Sequence, residues 1–256
     1  MMVLRSVAMA FLMFSRVPMP KVEWKPENMR FALAALPLVG VLIGALLWGW
    51  AWLCGALSLG KVLFAAGMTL LPLLVSGGIH LDGFCDTVDA LSSHASMERK
   101  REILKDPHTG AFAVIGVCAY FLATFALYTE LPNEKSAVLL ACLIPVLSRG
   151  AGALASFCTP SDGAGLLHTM RSSADRRAAV VILAVWYALG AAGMLLLSPL
   201  LGGGMALTAA LCAVLTVRLS KREFGGMSGD LAGFCIQVCE LGMLCGLIFL
   251  QKAVAL

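Results

Sequence analysis

Seven apolar stretches, each roughly 17 to 23 residues long and nearly free of charge, organise the sequence. They run over 31–53, 62–79, 110–128, 137–158, 178–198, 203–219 and 231–250. Segments of this length match the hydrocarbon thickness of a bilayer. In lipid, every backbone N–H and C=O must be paired inside the protein, which leaves helices or closed barrels as spanning structures. Runs that are apolar throughout, without strict alternation, select helices. Composition agrees: hydrophobic residues make up 60% of the 256 and charged residues 13%, and mean hydropathy is +0.89. That leaves too few polar side chains to cover a water-soluble globule.

The expected fold is therefore all-α: a polytopic membrane bundle of about seven transmembrane helices in a single integral membrane domain over 1–256. Residues 1–30 form an N-terminal interfacial segment and 31–256 the bundle. The sixth stretch is the shortest and the weakest span. Gly40, Gly44, Pro37, Pro72 and Pro145 fall inside spans, where small residues allow close helix approach. The Met1–Phe14 run is not followed by a small-residue cleavage site, and Arg16, Lys21 and Lys25 come where a mature exported chain would begin. It reads as a retained segment.

Charge sets the expected orientation. Of the 19 Lys and Arg residues, all but Lys61, Lys135 and Lys252 fall on the N-terminal side of the alternation, in 1–30, after span two, at Arg149 near the inner end of span four, after span four and around the end of span six. Short basic loops stay cytoplasmic, so the N-terminus is expected inside, in a cytoplasmic (inner) membrane. The loops 80–109, 159–177 and 219–230 then carry the chemistry on the cytoplasmic face. The net charge of +4 is small, and no nucleic-acid partner is expected. The nine cysteines lack CxxC spacing, and most sit in apolar runs. They read as small buried hydrophobes rather than metal ligands or disulfides.

One loop concentrates acid. In the segment Gly77 to Asp89, with His80 near its start, Asp82, Asp86 and Asp89 fall at i, i+4 and i+7. On a helix they share one face. Like charges so placed repel unless a cation neutralises them, and carboxylates are hard ligands suited to Mg²⁺ or Mn²⁺ that also bind phosphates. The plainer alternative is a solvated acidic helix start. His80 is either a ligand, a proton carrier or phosphate contact, or a structural hydrogen-bonding residue. Glu98 and Glu102, spaced by four among Arg and Lys, predict a short amphipathic surface helix.

A second acidic point is Gly225-Gly226-Met227-Ser228-Gly229-Asp230, preceded by Lys221 and Arg222. Glycine amides and a helix N-terminus can seat a phosphate; equally, Ser228 or Asp230 caps span seven. Asp230, Gly233, Gln237 and Glu240 continue as one helical stripe, so Glu240 is expected to face the bundle interior with a partner. Arg149, near the inner end of span four, either snorkels to the interface or neutralises phosphate or the acidic cluster.

Together these motifs resemble the cobalamin synthase (adenosylcobinamide-GDP ribazoletransferase) family over nearly the whole chain. The resemblance rests on Phe11 to Pro20, Pro37 to Gly40, Gly77 to Gly83 with Asp86 and Asp89, and Asp106 with Gly110-Ala111-Phe112. It continues through Ser148-Arg149, Asp162-Gly163, Gly165-Leu166, and Gly225 to Asp230 with Gly233. The chain departs from the family pattern at Cys85, Ser228 and Gln237.

What the resemblance implies is a late vitamin B12 transferase. It would join adenosylcobinamide-GDP to α-ribazole or its 5′-phosphate, with GMP leaving. Asp82, Asp86 and Asp89 would hold Mg²⁺ (or Mn²⁺), with Asp82, Asp86 and His80 as the catalytic candidates. Gly78, Lys105, Asp106, Arg149, Lys221, Arg222, Gly226, Gly229 and Asp230 are the substrate-binding candidates. Implied partners are the corrinoid nucleotide, α-ribazole, membrane lipid and other enzymes of the pathway. Rival readings are a CDP-alcohol phosphotransferase-like lipid enzyme, a cation-coupled transporter and a non-catalytic scaffold. The Asp82-Gly83-x-Cys85-Asp86 order does not meet the first rival's motif.

Overall fold

Where a single apolar run would give one straight rod, two consecutive left-handed glycines break it. Gly77 (φ +69°) and Gly78 (φ +85°) turn the chain through 96° between helix α4 (Lys61–Ser76) and helix α5 (Ile79–Ser92) in this computed structural model. Most L-residues avoid positive φ, so the Gly-Gly pair is what permits the corner. Helix α4 is about 24 Å long, short for a bilayer crossing. Helix α5 leaves it at nearly a right angle and carries all three aspartates of the acidic segment.

The structure describes residues 2–161, 163 and 165–254. Among them, chain order begins with α1 (Met2–Phe14), α2 (Pro26–Met29) and α3 (Leu36–Ala56), followed by α4 and α5. Next come α6 (Met97–Ile103), α7 (Ala111–Glu130), α8 (Lys135–Phe157) and α9 (Gly165–Ser173). The last three are α10 (Arg176–Leu197), α11 (Pro199–Phe224) and α12 (Gly229–Val254). Six of them, α3, α7, α8, α10, α11 and α12, are long and apolar enough to cross a membrane, and the bent α4–α5 pair makes a seventh candidate. The all-α polytopic bundle expected from the sequence is what folds.

The sixth span is corrected. It is not the shortest but, at 26 residues, equals α12 in length. Glycines at 202–204 and the charges of Arg218, Lys221 and Arg222 dilute its hydropathy without ending the helix. Pro199 opens it at a position where proline is tolerated, and Ser198 caps it by accepting from the Leu201 N–H.

Helix α8 is the axis of the bundle, with 83% of its most apolar window buried. It packs most extensively on α3, α10 and α12. Its small residues explain the position: Gly150, Ala151, Gly152, Ala153 and Ala155 let neighbours come close. Gly40 and Gly44 of α3 meet the backbone of Pro145 and Cys142, where a β-carbon has no room. The outer faces of α7, α10 and α11 expose Ile115, Leu122, Val185, Leu189, Leu207 and Leu211, as lipid-facing surfaces do.

The segments expected as loops are partly helical: α5 and α6 occupy most of 80–109, α9 the middle of 159–177, and α11 runs on to Phe224. All these segments, with the N-terminal α1 and α2, gather at one end of the bundle. There Arg30 binds Asp175 at 2.7 Å and Lys100 of α6 binds Glu223 of α11 at 2.5 Å. Helix α6 realises the amphipathic surface helix, capped by Ser96. All nine cysteines are free, and Cys118 and Cys158 are exposed rather than buried.

Candidate active site

Helices α5 and α12 cross in backbone contact. A β-carbon on Gly83 would stand 2.6 Å from the Asp230 Cα, and one on Gly233 would stand 2.8 Å from the His80 carbonyl oxygen. Only glycine at both positions allows this approach, and the approach brings Asp230 beside the α5 aspartates. Asp82 is exposed, Asp86 and Asp89 are half-buried, and Asp230 is half-buried at the first turn of α12. The sequence grouped three acids; the fold supplies the fourth from another helix.

The electrostatics record the crowding. Burial, then the negative charges of Asp82, Asp230 and Asp89, push the Asp86 carboxyl up to about 6. The Cys85 thiol is raised to about 11 by burial and by Asp86 and Asp82, so it stays protonated at neutral pH. Among the described residues, no Lys or Arg stands within ion-pair distance of Asp82, Asp86 or Asp89. As the side chains are placed, no three His, Cys, Asp or Glu among the described residues already form a ligand cage. Asp89 lies over Gly110 at the start of α7, where the helix dipole favours a carboxylate. The donor set is thus oxygen-rich and short of positive charge, which suits a hard divalent cation.

Beside the acids lies a cavity of about 310 Å³. Its floor and walls come from six helices: Phe14 at the end of α1, Leu36 at the start of α3, His80 and Asp82 of α5, Gly152 and Ser156 of α8, Leu166 and Met170 of α9, and Gly229, Asp230 and Ile236 of α12. Lys105 stands at its edge. The interior is apolar; the charged groups lie where it meets the aspartates. Phe14 stacks on the His80 ring with centroids 5.8 Å apart and planes 15° from parallel. Burial, with the charge of Arg149, holds the His80 imidazole well below its ordinary pKa.

Of the substrate-binding candidates, Lys105, Gly229 and Asp230 line this cavity with His80 and Asp82. The others are placed elsewhere. Arg149 is 1% exposed and gives its Nη1 to Glu240 Oε1 at 2.6 Å inside the bundle. It neither snorkels nor reaches the acidic cluster, because Glu240 is the partner that each requires in a low-dielectric interior. Glu240 faces inward as its helical stripe implies, with Ser148 also donating to it at 3.0 Å.

Gly78 forms the α4–α5 corner. The Gly226 N–H is given to the Ser220 carbonyl and the Met227 N–H to that of Pro160, so neither amide is open to a phosphate. Ser228 caps α12 by accepting from the Leu231 N–H at 3.2 Å. Lys221 and Arg222 are exposed and off the cavity wall, with Arg222 held on Glu223 at 2.7 Å. Asp106 is exposed and bonded to His108, whose N–H groups lower its pKa. Asp162 lies outside the described residues.

Sequence reasoning missed Phe14 as a wall of the site and missed the α9 face. Phe14 sits in the N-terminal stretch that carries the family resemblance, and the Arg16 contacts with the end of α4 hold that stretch near His80. Arg16 donates its N–H to Val75 at 2.8 Å and lays its side chain across Gly77. In α9, the spacing of Leu167 and Met170, both buried, was the available signal.

Comparison with known proteins separates the rival readings. The family model described as Cobalamin-5-phosphate synthase matches residues 6–248. An adenosylcobinamide-GDP ribazoletransferase of Lachnoclostridium phytofermentans is 41% identical over 240 residues, covering 93% of this chain and 91% of that one. Proteins of the same name from Geobacillus kaustophilus and Clostridium botulinum are 32% and 31% identical, each over at least 93% of both chains. No solved structure matches. With both Asp-bearing segments and nearly all of the bundle inside the matched range, the chain belongs to the cobalamin-5-phosphate synthase family.

Proposed function

We propose that this membrane protein transfers the cobinamide phosphate of adenosylcobinamide-GDP to α-ribazole or α-ribazole 5′-phosphate, releasing GMP, at a metal-dependent site on the cytoplasmic face. The observation that carries the chemical part is the convergence of Asp82, Asp86, Asp89 and Asp230, which lifts Asp86 to about 6. Family membership supports the substrates. The concentration of most basic residues at the same end of the bundle supports the cytoplasmic placement.

In the reaction, the ribose hydroxyl oxygen of the acceptor attacks the phosphorus bonded to cobinamide. The P–O bond to the GMP phosphate breaks, the bridging oxygen leaves with GMP, and the hydroxyl proton goes to a carboxylate of the cluster or to His80. The products are a phosphodiester, GMP and a proton. Asp82, Asp86, Asp89 and Asp230 would hold Mg²⁺ or Mn²⁺, whose charge offsets that of the pyrophosphate. The chain's own contribution is to fix the acids in place. The glycine crossing sets the distance between α5 and α12, and the Gly77–Gly78 corner aims the α5 acids along the end of the bundle. The apolar cavity keeps water from part of the site.

The direct test is GMP release by purified protein supplied with adenosylcobinamide-GDP, α-ribazole and Mg²⁺. Release by the wild type, and its loss on chelation and in Asp82→Asn, is the expected result. Full activity in chelator, or in Asp82→Asn, would remove the metal-site reading.

A further inference from the structure

His80 presents an unresolved polar demand. Its side chain is 4% exposed, and neither Nδ1 nor Nε2 has a hydrogen-bond partner. Buried polar atoms are nearly always paired, so two orphans on one ring that lines a cavity point to a ligand that completes them. The cavity, of about 310 Å³, is of a size to take a nucleoside. Its interior offers little other polar chemistry: the Ser156 hydroxyl is committed to the Ala153 carbonyl at 2.6 Å, and Phe14, Leu166, Met170 and Ile236 are apolar.

A guanine base carries donors and acceptors along two edges, more than the apolar interior of this cavity pairs. A benzimidazole nucleoside has one free ring nitrogen, an acceptor, on an otherwise apolar bicycle. One imidazole N–H of His80 matches it, and the other His80 nitrogen is left to accept from a ribose hydroxyl.

Resting on the transferase reading, we propose that this cavity is the acceptor subsite: the benzimidazole of α-ribazole enters beside Phe14, His80 bonds its free ring nitrogen, and Lys105 receives the 5′-phosphate of the phosphorylated acceptor. The orientation is set by polarity. With the base in the apolar interior, the ribose lies toward Asp82 and Asp230, where its hydroxyl is needed. Lys105 has no ion-pair partner among the described residues, and it is the one cation on the wall among them.

The test is equilibrium binding of α-ribazole and α-ribazole 5′-phosphate to the purified, detergent-solubilised full chain, read by the intrinsic fluorescence of the benzimidazole without cobinamide-GDP. His80→Ala is expected to weaken both acceptors by about tenfold or more, the loss of a buried hydrogen bond. Lys105→Ala is expected to weaken only the phosphorylated one. Leu166→Trp, at an exposed wall position, fills the cavity without touching the core and should abolish binding of both even where His80→Ala fails to fold. Guanosine should not compete.

Wild-type affinity in His80→Ala and Leu166→Trp, or displacement of α-ribazole by an equal concentration of guanosine, would overturn the assignment. Because binding is read without turnover, these results are separable from failure of the transferase reading. Binding lost in both variants upholds the subsite even where no GMP forms. GMP formation with unchanged acceptor affinity in both variants overturns the subsite and leaves the transferase standing.

Discussion

Two groups of charged side chains sit within a few turns of one another on α12, and they are handled in opposite ways. Glu240, about three turns into the helix, is matched by Arg149 at 2.6 Å and by the Ser148 hydroxyl, deep in the bundle. Asp230, at the helix start, stands with Asp82, Asp86 and Asp89, and no Lys or Arg is paired with the three α5 acids among the described residues. The first arrangement closes on itself and leaves nothing for a ligand. In the second, three α5 acids without a paired Lys or Arg among the described residues are held beside α12 by the backbone crossing, which is what a cation-dependent site needs before its cation arrives. Compensation, more than burial or depth, separates a structural charge from a working one here.

Breaking the compensated pair is expected to have the largest effect. Glu240→Gln strands Arg149 in the interior and should cost about 3–5 kcal/mol of stability, while Arg149→Met combined with Glu240→Met should recover most of it. Thermal unfolding of the detergent-solubilised protein measures both. The α5 acids, which no Lys or Arg pairs among the described residues, should behave in reverse. Asp82→Asn should leave the melting temperature unchanged or higher, since it removes like-charge repulsion. It should lower GMP release by at least about 100-fold, near 3 kcal/mol of transition-state stabilisation.

Between these lies the crossing that joins the two regions. Gly83→Ala collides with the Asp230 backbone. Overpacking of this kind is expected to cost about 1–3 kcal/mol, with activity falling further than stability because the acids move apart. The smallest effect belongs to the corner: Gly78→Ala at φ +85° should cost about 1 kcal/mol and shift the melting temperature slightly, with an activity loss if α5 reorients.

The comparison also shows what a single sequence can display. Hydropathy and length located the spans, because a bilayer imposes one length on every crossing. They understated α11, whose glycines and terminal charges lower its average without interrupting its hydrogen bonds. Helical periodicity placed Asp82, Asp86 and Asp89 on one face and Glu240 inside, since both are local properties of a helix. The pairing of Arg149 with Glu240 spans 91 residues of sequence, and no local pattern selects it over a phosphate. Asp230 joining the α5 acids, and Phe14 closing over His80, depend equally on long-range packing. Gly83 and Gly233 were visible as letters, but their purpose appears only where two backbones meet.

The most direct measurement is the binding of Mn²⁺, followed by electron paramagnetic resonance, to the purified chain without substrates. The expected result is saturable binding by the wild type, displaced by Mg²⁺, lost in Asp82→Asn and in Asp86→Asn, and retained in the Arg149→Met, Glu240→Met double variant. Binding that survives both aspartate substitutions, or that disappears with the buried pair, would contradict the assignment of the four acids as the working charge of this protein.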